Sequence, residues 1–170
     1  MLIIRSARID DAATLCAAEQ AIAETPGRLI SRPEELRLEA FVSLIEKLSG
    51  GAGCYLVAED NGACVGHALL NPMELIALAH VYRLTIVVHP GHSGKGIGTA
   101  LMRSICEWAT CSPQVHKIEL LVRSTNERAL SLYRKFGFVE EGRLRDHVRL
   151  PDGSYIDEVS MGWFPVRADA

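Results

Sequence analysis

The chain has 170 residues, 48% of them hydrophobic, and a formal net charge of −3, which suits one globular domain over residues 1–170 with a sizeable core and no biased tract. A slightly acidic chain whose basic residues are interspersed with acidic ones carries no broad electrostatic footprint for nucleic acid or for an anionic membrane. Cys16, Cys54, Cys64, Cys106 and Cys111 are odd in number and lack a C-x-x-C pair. They fit reduced thiols rather than a disulfide framework, and with no leader-like start and no apolar run of spanning length the expectation is a cytoplasmic protein.

In chain order, residues 2–8 read as a strand, and Asp10 as the N-cap of a helix reaching about Glu24, stopped by Thr25-Pro26-Gly27. Ser31-Arg32-Pro33-Glu34 fits a capping box, followed by apolar Leu36, Ala40, Phe41, Leu44, Ile45 and Leu48 on one helical face up to Gly50-Gly51. Residues 54–59 and 63–70 are short strands joined at Asn61-Gly62, the preferred pair for a tight hairpin turn. A fourth strand at 80–88, a helix at 99–110 and a fifth strand at 117–123 form a β-α-β unit. A helix after Asn126 stops at Gly137, and strands at 138–150 and 155–163 close the chain around Pro151-Asp152-Gly153.

The most informative stretch is Val87-Val88-His89-Pro90-Gly91-His92-Ser93-Gly94-Lys95-Gly96-Ile97-Gly98-Thr99, a β-branched strand that ends in a glycine-dense turn opening onto an amphipathic helix. A helix start leaves backbone N–H groups unpaired and carries partial positive charge, and glycines let a phosphate approach them. A nucleotide-hydrolysing loop would need glycine at His89 and a hydroxyl residue at Gly96, and a dinucleotide fingerprint would need G-x-G-x-x-G, so both readings fail on spacing.

The turn resembles the pyrophosphate loop of the GNAT acyl-CoA N-acyltransferases at Val88-His89-Pro90 and Gly94-Lys95-Gly96-Ile97-Gly98. Asn126-Glu127-Arg128-Ala129-Leu130-Ser131-Leu132-Tyr133-Arg134-Lys135-Phe136-Gly137-Phe138 resembles the same family's N-x-x-A-x-x-L-Y-x-K-x-G-F signature. The resemblance implies the α/β (α+β) GNAT fold: a central mixed, mostly antiparallel sheet of about seven strands, helices on both faces, and a splayed cofactor cleft between strands 4 and 5. It further implies acetyl-CoA as acyl donor, bound by Ile86, Val87, Val88, Ser93, Gly94, Lys95, Gly96, Ile97, Gly98, Thr99, Asn126 and Tyr133. In that reading the backbone of residues 86–88 pairs with the pantetheine arm like another strand.

Two positions depart from the family pattern. Ser93 stands where Arg or Gln is usual, which leaves His92 or Lys95 to supply positive charge, and Arg83 stands where many relatives carry a Glu. Tyr133 is the expected general acid: phenol and thiol pKa values near 10 and 8.5 make proton transfer to the departing thiolate cost about 2 kcal/mol before the site tunes it. Glu74, His80, His67, Glu119 and Glu158 are all chemically able to act as base, and His80 is singled out because it opens the fourth strand. The histidines show no ligand spacing, so no metal is expected.

The expected activity is acetyl transfer from acetyl-CoA, by direct attack, to a primary amine of a small molecule such as an amino acid, with a peptide N-terminus or an antibiotic amine as other acceptors. The alternative is a non-catalytic acetyl-CoA sensor or interaction module. Homodimerisation through the closing hairpin is a further expectation from the resemblance.

Overall fold

The computed structural model describes residues 1–167. Its strands are β1 (Leu2–Ser6), β2 (Cys54–Asp60), β3 (Ala63–Pro72), β4 (Val81–Val88), β5 (Lys117–Arg123), β6 (Val139–Arg149) and β7 (Tyr155–Trp163). The helices are α1 (Ala12–Ala23), α2 (Leu38–Lys47), α3 (Ile97–Cys111) and α4 (Glu127–Lys135). All seven strands form one sheet in the order β1-β2-β3-β4-β5-β7-β6, antiparallel throughout except for β4 with β5.

Alternation along the strands divides the side chains into two layers. Leu84, Ile118, Leu120, Val122, Val159 and Met161 pack under α3 and α4 with Leu101, Met102, Ile105, Leu130 and Tyr133. Tyr55, Val57 and Leu69 pack on the other side against Leu15, Cys16, Phe41 and Ile45 of α1 and α2. The thiols are free; burial pushes Cys54 up to about 12 and Cys106 up to about 11, so both remain protonated packing groups.

Local turn chemistry places the connections. Asn61 (φ 50°) and Gly62 (φ 82°) make the two-residue β2–β3 hairpin. Asn126 Oδ1 accepts from the Ala129 N–H at 3.2 Å and caps α4, which ends where Gly137 (φ 89°) lets the Phe138 N–H reach the Tyr133 carbonyl at 3.1 Å.

The second helix starts later than the capping pattern predicts. Arg32 and Glu35, one residue on from the expected pair, close a single 3-10 turn at Pro33–Glu35 through a 2.8 Å bond from the Arg32 N–H to Glu35 Oε2. The Leu36 carbonyl is then taken by Gln20 Nε2 at 2.9 Å, Leu36 is extended, and α2 begins only at Leu38. Likewise α1 is preceded by a 3-10 turn at Ile9–Asp11, with Asp11 rather than Asp10 at its start and paired to Arg5 at 2.8 Å.

Candidate functional site

β4 and β5 pair at only three positions, Val81 with Lys117, Tyr82 with Ile118 and Arg83 with Glu119. Beyond Arg83 the rest of β4 stays paired to β3, and β5 is held to β7 out to Arg123, so the two strands part. Arg83 and Glu119 bridge the point of departure at 2.5 Å. The gap leads into a cleft of about 640 Å³ floored by the glycine turn and walled by α4, within the size range of small-ligand sites.

Ile86, Val88, Ser93, Gly94, Gly96, Ile97, Gly98, Thr99, Asn126 and Tyr133 all line this cleft. Val87 is buried and Lys95 is exposed, and neither side chain is among the lining; the expectation for Val87 concerned its backbone, which runs along the strand edge that β5 leaves. Gly94 (φ 84°) and Gly96 (φ 77°) hold left-handed backbone that shapes the turn. Gly96 has no side chain to cap α3, so the N–H groups of residues 97–99 are left for a ligand.

The cleft's charge was hidden in the sequence. Its lining includes Arg28, Arg123, Arg128 and Lys135 and no Asp or Glu, in a chain whose net charge is −3. A guanidinium nitrogen of Arg128 comes within 3.8 Å of the point where a side chain would leave Gly94. Arg128 thereby puts a cation over the turn that Ser93 does not supply; His92 also lines the cleft, and Lys95 does not. A positive, glycine-floored cradle fits a polyphosphate.

Tyr133 is 7% exposed and lies at the cleft with its ring 5.9 Å from that of Phe138. Burial pushes its phenol up to about 12, and the Arg123 charge pulls the other way. Against a thiol near 8.5 that gap amounts to about 5 kcal/mol rather than 2. The same dry surroundings raise a thiolate's basicity and narrow it.

None of the five candidate bases is among the residues that line the cleft. His80 is exposed at the start of β4, edge-on to His116 at 5.6 Å, and about 25 Å by strand rise from the glycine turn. The structure does not bring it to the cleft. Glu74 is exposed beyond β3, and Glu119 is held by Arg83. His67 is fully buried under α1. Glu158 is 1% exposed, bonded to His147 at 2.7 Å, and directly opposite Arg123 on the neighbouring strand.

His67 belongs to a buried relay that sequence reading missed, because its members are far apart in the chain. His89 Nδ1 lies 3.1 Å from the Cys64 carbonyl, which can only accept, so that nitrogen is the protonated one. His89 Nε2 then accepts from His67 Nδ1–H at 3.0 Å, and His67 Nε2 shares a proton with Glu19 Oε1 at 2.8 Å. The relay ties α1 and β3 to the residue that leads into the glycine turn. Burial, and secondarily His67, holds His89 down to about 4.

A histidine whose folded pKa lies below its unfolded value of about 6.5 binds its proton first in the unfolded chain. Stability is therefore complete above pH 6.5 and is lost as pH falls towards 4, by about 3 kcal/mol at most. Urea midpoints at pH 7 and pH 4.5 should show this loss, and His89→Gln should flatten the slope between them; an equal slope in the variant would assign the acid sensitivity elsewhere.

Among the described residues no group of three His, Cys, Asp or Glu is placed to hold a metal ion, and no helix is long and apolar enough to cross a membrane.

Residues 19–138, more than two thirds of the chain, match the model of the acetyltransferase (GNAT) family. The chain is 33% identical over 106 residues to the L-amino acid N-acetyltransferase AaaT of Escherichia coli, covering 62% of this chain and 65% of that protein. It is 34% identical over 96 residues to the spermidine N(1)-acetyltransferase of Vibrio cholerae, covering 55% of each. The matched segments thus span about half to two thirds of those relatives' length. A crystal structure of a GNAT-family acetyltransferase from Streptococcus pneumoniae superposes with a TM-score of 0.86 at 26% identity, over 96% of this chain and 99% of that one. With the parted strands, the glycine turn and the Asn126-to-Phe138 helix in one cleft, this chain belongs to the acetyltransferase (GNAT) family.

Proposed function

We propose that the protein is an N-acetyltransferase that carries an acetyl group from acetyl-CoA to the primary amine of a small molecule, an amino acid or similar, by direct attack. The observation that carries this reading is the meeting, in one cleft, of an acid-free cationic glycine turn, the gap between β4 and β5, and a largely buried tyrosine. Acetyl-CoA supplies an activated acetyl group as a thioester.

The chain's own residues do the rest. The N–H groups of residues 97–99 and the Arg128 guanidinium bind the pyrophosphate, and Asn126, already engaged as a helix cap, lends its remaining polar atoms to the wall. The edge of β4 freed by the splay, at Ile86, Val87 and Val88, offers backbone groups to the pantetheine arm and a donor to the thioester oxygen. Tyr133 keeps its proton up to about pH 12 and gives it to the leaving sulfur. A peptide-type α-amine with pKa near 8 is already about 10% neutral at pH 7 and needs no strong base, whereas the more basic amine of a free amino acid must give up its proton before it attacks.

Pairing of two copies is proposed through the closing hairpin, whose edge strand β6 is exposed along almost its whole length.

The test is release of free CoA from acetyl-CoA on addition of amino acids, polyamines, aminoglycosides or N-terminal peptides. Amine-dependent release supports the transferase; tight binding of acetyl-CoA with no release across the panel supports a sensor instead. Arg128→Ala should raise the Kd for acetyl-CoA about 5- to 10-fold and make it less sensitive to salt, as calorimetry at two salt concentrations would show. An unchanged Kd would remove Arg128 from the site.

A further inference from the structure

Among the described residues three buried side-chain polar atoms are unpaired: Asn71 Oδ1 on β3, and Arg123 Nε and Glu158 Oε1, which lie together where β5 pairs with β7. Arg123 and Glu158 sit directly opposite each other on β5 and β7, so their side chains leave the sheet on the same face with Cβ atoms about 5 Å apart. Arg123 lines the cleft and donates through one terminal nitrogen to the Arg28 carbonyl, yet its Nε is buried with no partner among the described residues. Glu158 accepts from His147 Nδ1–H at 2.7 Å through Oε2, and its Oε1 is buried and unpaired.

Buried polar atoms are nearly always satisfied, and exceptions call for a partner that is absent. The Arg123 and Glu158 atoms have opposite character: one is a cationic donor and the other an anionic acceptor. They share one rung of β5 and β7; Arg123 lines the cleft that holds Tyr133, and Glu158 sits next to it, outside the lining residues. The α1–α2 connection runs beside this wall: Gly27 and Arg28 line the cleft, and a side chain added at Gly27 would meet Leu150 and Ile156 of the closing hairpin within 4 Å.

We propose that Arg123 and Glu158 are the two ends of the acceptor subsite, and that it takes an amine with an anionic group close to the nitrogen, as in an α-amino acid. The neutral amine donates an N–H to Glu158 Oε1, which leaves its lone pair for the thioester, and the carboxylate accepts from Arg123 Nε. His147 is a positioning residue: it occupies Oε2 and so turns Oε1 towards the acceptor. A polycationic amine fits poorly, because Arg28 and Arg123 place two guanidinium groups against a single carboxylate. This assignment rests on the acetyltransferase reading and adds an acceptor class to it.

The experiment compares a panel of L-amino acids, the matching amino-acid amides and spermidine, each with acetyl-CoA. Wild-type protein should use the acids about 10- to 100-fold better in kcat/KM than their amides, the scale of one charge-assisted hydrogen bond, and should not use spermidine. The amide's amine is the less basic and more often neutral, so such a preference cannot come from intrinsic reactivity.

Arg123→Gln should bring the acid-to-amide ratio close to one. That ratio is taken within one protein and does not depend on how much of it is folded. Glu158→Gln should raise KM for acids and amides alike, about 10-fold or more. Equal use of acids and amides by wild type, a ratio unchanged in Arg123→Gln, or a preference for spermidine would overturn the subsite and leave the transferase standing. No transfer to any acceptor, with acetyl-CoA demonstrably bound, would overturn the transferase reading itself.

Discussion

Replacing Tyr133 by Phe should lower kcat about 100- to 1,000-fold while the Kd for acetyl-CoA stays within about two-fold. The ring would keep its packing on Phe138 at 5.9 Å, and the hydroxyl has no hydrogen-bond partner among the described residues to lose. The fold should therefore melt at nearly the same temperature. What disappears is the proton for the leaving sulfur, and positioned general acids are worth about this much. Because burial holds the phenol up to about 12, the wild-type rate should show no loss from ionisation of Tyr133 below about pH 10. Turnover equal to wild type would remove Tyr133 from the chemistry.

The complementary loss comes from the glycine turn. Gly96→Val should raise the Kd for acetyl-CoA about 30-fold or more, with kcat at saturation within about three-fold of wild type. Gly96 has φ 77°, and a β-branched residue in that region costs about 1–2 kcal/mol or shifts the turn. Nothing lies within 4 Å of the added Cβ, so the effect comes from the backbone and from blocking the N–H groups of residues 97–99 rather than from a clash. At about 2–4 °C per kcal/mol for a chain of this size, the melting temperature should fall by several degrees. Calorimetric titration together with steady-state rates separates the two variants: one loses chemistry and keeps binding, the other the reverse.

What could be read from the sequence was local. Asn61-Gly62, the Asn126 cap, Gly137 and the glycine turn are each set by the backbone preferences of adjacent residues, and all four stand where those preferences put them. The seven strands and the layers on both faces follow from alternation and from the family resemblance. The insertion of β7 between β5 and β6 depends on pairings between distant segments, and so does the three-residue contact that lets β4 and β5 part.

The cleft's positive lining had the same origin. Arg28, Arg123 and Arg128 come from a loop, a strand end and a helix, and no window of sequence shows them as a patch. His80 starts the strand that leads to the turn, but a strand has two ends, and the cleft with its glycine turn lies at the other. Two local signals misled: the cap at Asp10, which falls to Asp11, and the capping box at residues 31–34, where Gln20 captures the Leu36 carbonyl from another helix. The departures at Ser93 and Arg83 became intelligible only in space, with Arg128 over the turn and Arg83 engaged by Glu119.

The most direct measurement is the mass of the acceptor pool after incubation with acetyl-CoA carrying an isotopically labelled acetyl group. The account predicts labelled N-acetyl product, equimolar with released CoA, formed by wild-type protein and nearly absent with Tyr133→Phe. Labelled acetyl-CoA recovered intact, with tight binding and no labelled acceptor, would contradict it.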